Sequence, residues 1–219
     1  MVRGLVFCCF LSSVLSGFSQ ADSTSDSSPY KVGFAFGFNY SIIQASISES
    51  FLQNVSGSVT AKGINTGGAT GHLVFTRSMS NGLEHRIMAG GLVNFSEVEF
   101  QFAGSHAERY DVQPLAVILG TKLSYFKPHI KKNRFGFTVG ADFLVKVPPN
   151  EKLIFAVSPF DLQICAGLSL ASLRRLSHVN ADLLYSRGLL NLSDTHASIE
   201  NEILSQVNRH FVTLILYVR

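Results

Sequence analysis

The stretch Lys31-Val32-Gly33-Phe34-Ala35-Phe36-Gly37-Phe38-Asn39-Tyr40-Ser41-Ile42 alternates without a break. Its even positions hold Val32, Phe34, Phe36, Phe38, Tyr40 and Ile42, and its odd positions hold Lys31, Gly33, Ala35, Gly37, Asn39 and Ser41. A helix would scatter these aromatics around its circumference, whereas a strand places all of them on one face. The pattern recurs at Phe135, Phe137, Val139, Ala141, Phe143, Val145 and Val147, interleaved with Gly136, Thr138, Gly140, Asp142 and Lys146.

Weaker alternation appears in six further places. Ala69 to Ser78 runs through Ser80-Asn81-Gly82, a tight hairpin signal, into a strand with Ile87, Ala89, Val93 and Phe95 on one face. Tyr110 to Tyr125 is apolar on both faces in its middle and holds Pro114, so an irregular or bulged strand is expected. Leu162, Ile164, Ala166, Leu168 and Leu170 mark a sixth strand, and Val179, Ala181, Leu183 and Tyr185 a seventh. His210 to Arg219 makes the eighth.

Composition narrows the class. Only 15% of the 219 residues are charged where about 25% is usual, and 46% are hydrophobic, including 18 Phe. Disorder is excluded, because such a chain carries far more apolar surface than an unfolded one keeps wet. Met1–Ala21, with Arg3 ahead of an apolar core and small residues at Ser19 and Ala21, reads as a cleavable signal peptide. Beyond it no apolar run reaches the length of a membrane helix. In a bilayer the only other way to pair every backbone group is a closed barrel. The expected architecture is therefore all-β: an eight-stranded, antiparallel, up-and-down transmembrane barrel over 31–219, behind a flexible serine-rich segment at 22–30.

The connections sort by length. With the N-terminus in the periplasm, the turns Ser80–Gly82, Lys127–Asn133 and Ser172–Ser177 fall inside and are short. Gln44–Thr66, Ser96–Arg109, Pro148–Phe160 and Gly188–Asn208 fall outside and are long, the asymmetry of outer-membrane barrels. The lipid-facing stripe is then Phe34, Phe36, Phe38, Phe135, Phe137, Val139 and Phe143, with Tyr40, Phe95, Phe126, Phe135 and Tyr217 near strand ends as an interfacial girdle.

Polar residues of the opposite parity are expected to fill the lumen. Arg86, Lys122, Asp142, Lys146, Asp182 and Arg187 should form a plug of compensating charges, since eight strands leave no open channel and an unpaired buried charge is expensive. His178, Asn180 and Asp182 share an inward face near Ser177 and Ser186, which raises the alternative of a barrel enzyme acting on lipid A. A soluble lipocalin-like barrel, its aromatic face lining a cavity for an apolar ligand, is the other alternative. His72, His85, His106, His129, His196 and His210 are dispersed, and Cys165 is the only cysteine left after the leader, so no metal site is expected. No Gly-rich loop opening a helix points to a nucleotide or other cofactor, and 18 basic against 15 acidic residues do not mark a nucleic-acid binder.

Three stretches carry a family likeness: Tyr185-Ser186-Arg187-Gly188-Leu189-Leu190-Asn191-Leu192, Phe160-Asp161-Leu162 followed by Ala166-Gly167-Leu168, and Pro114-Leu115 opening an aliphatic run toward Lys122. On them the chain resembles the PorT-like outer-membrane β-barrel family of the type IX secretion system. The resemblance implies an outer-membrane location, a non-enzymatic accessory role in protein secretion, and other secretion proteins and outer-membrane lipid as partners. It brings no catalytic residue and no cofactor.

Overall fold

The computed structural model describes residues 30–54, 57–79, 82–102, 104, 106–112, 115–126, 134–147, 158–171, 179–192 and 204–218. The expected leader at 1–21 and the segment to residue 29 lie outside them, as do 80–81, 127–133 and 172–178, which hold most or all of the three expected short turns.

The elements are β1 (Lys31–Ile47), α1 (Glu49–Asn54), β2 (Val59–Ile64), β3 (Thr66–Ser78), β4 (Leu83–Asn94), β5 (Glu97–Phe102), β6 (Glu108–Asp111), β7 (Leu115–Phe126), β8 (Arg134–Lys146), β9 (Phe160–Ala171), β10 (Val179–Gly188) and β11 (Leu204–Val218). Eight of the strands close into an antiparallel barrel in the order β1-β3-β4-β7-β8-β9-β10-β11, with β11 returning to β1. This is the expected up-and-down meander, and its closing seam is long, running from Phe34 opposite Val218 to Ile47 opposite Leu204. At Gly82 the chain turns with φ +81°, where a side chain is strained, and Met79 N–H donates to Leu83 C=O at 2.8 Å.

The register fixes the barrel's shape. Register partners lead round the wall from Phe160 through Val145, Val117, Gly91, Gly71, Phe36, Leu216 and Ala181 to Leu170. The circuit returns to β9 ten positions from its start, at Leu170 rather than Phe160. Eight strands with that stagger tilt about 40° from the axis and enclose a cylinder of roughly 8 Å radius, so each residue advances about 2.5 Å along it.

The faces separate as the alternation requires. Phe34, Phe36, Phe38, Phe135, Phe137 and Val139 all point outward and are 55 to 69% exposed. Phe143 shares that face but is half-buried, because Phe160 stacks on it with ring centroids 5.7 Å apart. The aromatic stripe therefore lies outside the barrel, where a lipocalin-like carrier would need it inside. Phe126 and Tyr217, expected in the girdle, instead point inward and are 4% and 3% exposed. Their parity explains it: Phe126 alternates with Tyr125, and Tyr217 sits between the outward Leu216 and Val218.

Two expected loops hold structure of their own. Gln44–Thr66 contains the end of β1, α1 and β2, and Ser96–Arg109 contains β5 and the start of β6; β2, β5 and β6 form a separate three-stranded sheet. The run Glu97 to Phe102 is itself period-two, and it buries Val98 and Phe100 against Ile43, Val112, Leu192, Leu204 and Val207. Ile43 has the lumen-facing parity of β1, so this sheet leans over the loop end of the barrel. The expected single strand Tyr110–Tyr125 is accordingly two elements: β6 ends at Asp111, Val112 is buried in the cap, and β7 starts at Leu115; Pro114 lies outside the described residues. The last strand likewise begins at Leu204, six residues before the expected His210.

Close approach at Gly167 yields a test of the β9–β10 seam. A Cβ there would fall 2.0 Å from Leu183 O, whereas one on Gly71 meets nothing within 4 Å. Gly167→Val should lower stability by about 1–3 kcal/mol and Gly71→Ala should stay within about 0.5 kcal/mol of wild type, measured by urea unfolding in detergent. Equal effects would refute the seam's register.

Candidate functional site

The lumen collects the buried polar residues, and its core is a belt of hydrogen bonds. Asp182 on β10 accepts from Arg86 Nη1 at 2.6 Å, from Tyr217 Oη at 2.8 Å and from Ser169 Oγ at 2.6 Å. Arg86 Nε also donates to Glu84 at 2.7 Å, and its guanidinium lies 4.4 Å from the centroid of the Tyr217 ring. The chain of hydroxyls continues from Ser169 to Thr138 and on to Ser124, 2.6 Å away. The belt thus ties together β4, β7, β8, β9, β10 and β11. A buried guanidinium is tolerable only with such partners.

Above the belt, Lys122 Nζ lies 3.6 Å from Asp142. Glycines make the room: a Cβ on Gly120 would sit 2.1 Å from Asp142 Oδ1, and one on Gly140 2.8 Å from Lys122 Cγ. Toward the loop end a second pair forms, with Arg209 Nη2 3.4 Å from Asp161, which also accepts from Gln163 Nε2 at 2.8 Å. Arg209 lies 4.9 Å from the centroid of the Phe211 ring.

Between the layers Asn39, Thr70 and His72 border a cavity of about 30 Å³, lined also by Lys122, Asp142 and Ser186. Their side-chain amide, hydroxyl and Nδ1 atoms have no protein partner among the described residues. The space suits one or two waters serving those groups, and it is an order of magnitude smaller than a ligand pocket.

The expected plug residues divide. Arg86 and Asp182 meet directly, and Lys122 meets Asp142. Lys146 is half-buried at the loop end of β8, in no ion pair among the described residues. Arg187 was expected in the lumen but is exposed on the outer face, because it shares the odd parity of Leu183 and Tyr185. Asn180, Asp182 and Ser186 do face inward, while His178 and Ser177 lie outside the described residues. Asp182 is already engaged as a structural acceptor. Among the described residues no three His, Cys, Asp or Glu side chains are grouped to hold a metal.

Sequence reasoning missed Glu84, Asp161, Arg209 and Tyr217. Glu84 stands two positions before Arg86 on the same face, and that spacing could have revealed it. Arg209 lay just beyond the expected start of its strand.

No protein-family model matches the chain, and no curated protein matches it. The class defined by fold and lumen is a filled, eight-stranded β-barrel with an apolar exterior and a capped loop end.

Removing the carboxylate of Asp182 should show which interaction holds this interior. Asp182→Leu leaves Arg86 buried without one of its two carboxylate acceptors and should cost about 3–5 kcal/mol, while adding Arg86→Met and Glu84→Gln to Asp182→Leu should recover most of the loss. Equal unfolding midpoints for the single variant and wild type would overturn the belt's structural role.

Proposed function

We propose that the chain is an outer-membrane β-barrel acting as a non-enzymatic accessory of protein secretion, in the manner of the PorT-like family. The observation that carries the membrane reading is the height of the apolar exterior. Tyr30, just before β1, and Tyr40, one outward position before Ile42 ends the apolar part of the row, are ten positions apart and so about 25 Å apart along the axis, the height of the apolar band in outer-membrane barrels. Between them stand Val32, Phe34, Phe36 and Phe38, and the band continues round the wall through Leu119, Val139, Leu168, Leu183 and Leu214. Water would strip such a surface of solubility, and lipid would stabilise it.

The secretion reading rests on the resemblance at Tyr185 to Leu192 and at Phe160 to Leu168. The packed lumen favours it over transport through the barrel, because ion pairs and hydroxyls occupy the interior and leave room for one or two waters. Work on a secretion complex would then fall to the ends. The β2-β5-β6 sheet offers an exposed face with Lys62, Glu99 and Arg109 in one cross-strand row, the last two joined at 2.9 Å.

A charge in the middle of the band should oppose insertion. Phe36→Arg and Val139→Arg should each cost about 2–4 kcal/mol, seen as lost heat-modifiable migration and lower membrane yield; unchanged behaviour would count against the register. In cells lacking the gene, proteomics of the medium and periplasm should show exported proteins retained inside. Normal secretion with an altered lipid A mass spectrum would replace this proposal with the barrel-enzyme reading.

A further inference from the structure

Two arginines interrupt the apolar exterior, one near each edge of the band. Arg77 on β3 shares its face with Leu73 and Phe75, and Arg187 on β10 shares its face with Leu183 and Tyr185. Both stand in the same setting. Arg77 is the ladder partner of His85, whose Nδ1 pairs with Tyr30 Oη at 3.1 Å, and its guanidinium lies 5.8 Å from the centroid of the Tyr30 ring. Arg187 is the ladder partner of His210, whose Nδ1 pairs with Tyr185 Oη at 2.8 Å, the two rings stacking at 5.9 Å. Directly opposed side chains on one face of a sheet stand about 5 Å apart at Cβ, so each Tyr–His pair buttresses the root of its arginine.

Neither arginine has a carboxylate partner among the described residues; the described ion pairs use Arg86, Arg109, Lys122 and Arg209. Tracing the ladder from Arg187 through His210 to Ile42, down β1 to Lys31, across to Thr76 and on to Arg77 gives a height difference of about 20 Å once tilt is allowed for. Their flexible stems reach farther toward the edges, which places the two guanidiniums where the headgroups of opposite leaflets would lie.

We propose that Arg77 and Arg187 are phosphate-binding stations for lipid headgroups, one per leaflet, which together fix the barrel's depth in the membrane. The assignment rests on the outer-membrane reading. A guanidinium suits the task because its planar fork grips phosphate oxygens two at a time and is weakly hydrated. The Tyr–His pair keeps an aromatic wall beside it at the level where such rings prefer to lie.

The test uses the full chain in phosphatidylcholine vesicles with and without phosphatidylglycerol, followed by native mass spectrometry of the retained lipid. Wild type should keep about two phosphatidylglycerol molecules, Arg77→Gln or Arg187→Gln about one, and the double variant none. Heat-modifiable migration checks that each variant is folded, and Arg→Lys versions should restore part of the retention. Millimolar inorganic phosphate should leave the lipid in place; its displacement would assign the sites to free phosphate and overturn the proposal. Equal retention by the double variant would overturn it while leaving the membrane reading intact. Wild type that enters neither vesicle would bring down both.

Discussion

Everything inside this protein follows from how little space eight strands enclose. A ten-residue stagger sets a radius of roughly 8 Å at the backbone, and side chains from opposite walls must then meet on the axis. The interior accepts little surplus volume and penalises an unpaired buried charge, so most inward residues are complementary in size and sign. β1 contributes Ala35, Gly37 and Ser41 to that face, and the large occupants come from other strands: Arg86 from β4, Lys122 from β7, and Arg209, Phe211 and Tyr217 from the adjoining β11. Small inward residues on one strand leave the room that long ones on other strands fill.

The two ends of the lumen solve the problem differently. At the turn end most groups are paired: Asp182 receives three donors, and the hydroxyls of Ser124, Thr138 and Ser169 pass a continuous chain to it, while Arg86 Nη2 has no partner among the described residues. Higher up, Asn39, Thr70 and His72 look into a small cavity, and the buried side chains of Asn94 and Ser96 also have no hydrogen-bond partner among the described residues. The loop end is then closed by apolar contact between the small sheet and Ile43, Leu204 and Val207. A densely paired base, a middle with a small polar-lined cavity and an apolar cap follow one another along the barrel.

How much of this was legible depends on which rule each residue obeys. Parity is strict, so the outward set from Phe34 to Phe143 and the inward set with Arg86, Asp142 and Asp182 could be read from the chain alone. The same rule, applied to Arg187 and Tyr217, gives the faces they occupy; reading them by residue type, a charge as inward and a strand-end aromatic as girdle, gives the wrong ones. Pairing partners were another matter. That Asp182 would meet Arg86 from β4, not a nearer neighbour on its own strand, depends on shear, which the sequence does not spell out. The cap was hidden for a different reason: Glu97 to Phe102 alternates plainly, but long connections in barrels are expected to be irregular, and six residues are too few to overrule that expectation without a partner strand in view.

The exterior completes the argument because it must satisfy the opposite condition. Inside, a charge is stabilised by another charge of the same chain; outside, in the middle of the band, nothing of the kind is offered, and the outward rows of β7, β9 and β11 carry leucine, isoleucine and valine. Polar outward groups in the band are held by a neighbour, as Thr121 is by His85 at 2.8 Å, while the arginines stay near its edges. An exterior that merely tolerated water would scatter its charges, since placing them anywhere on a wet surface costs little. In the proposed membrane setting their place near the two edges obeys the same principle that pairs the charges within.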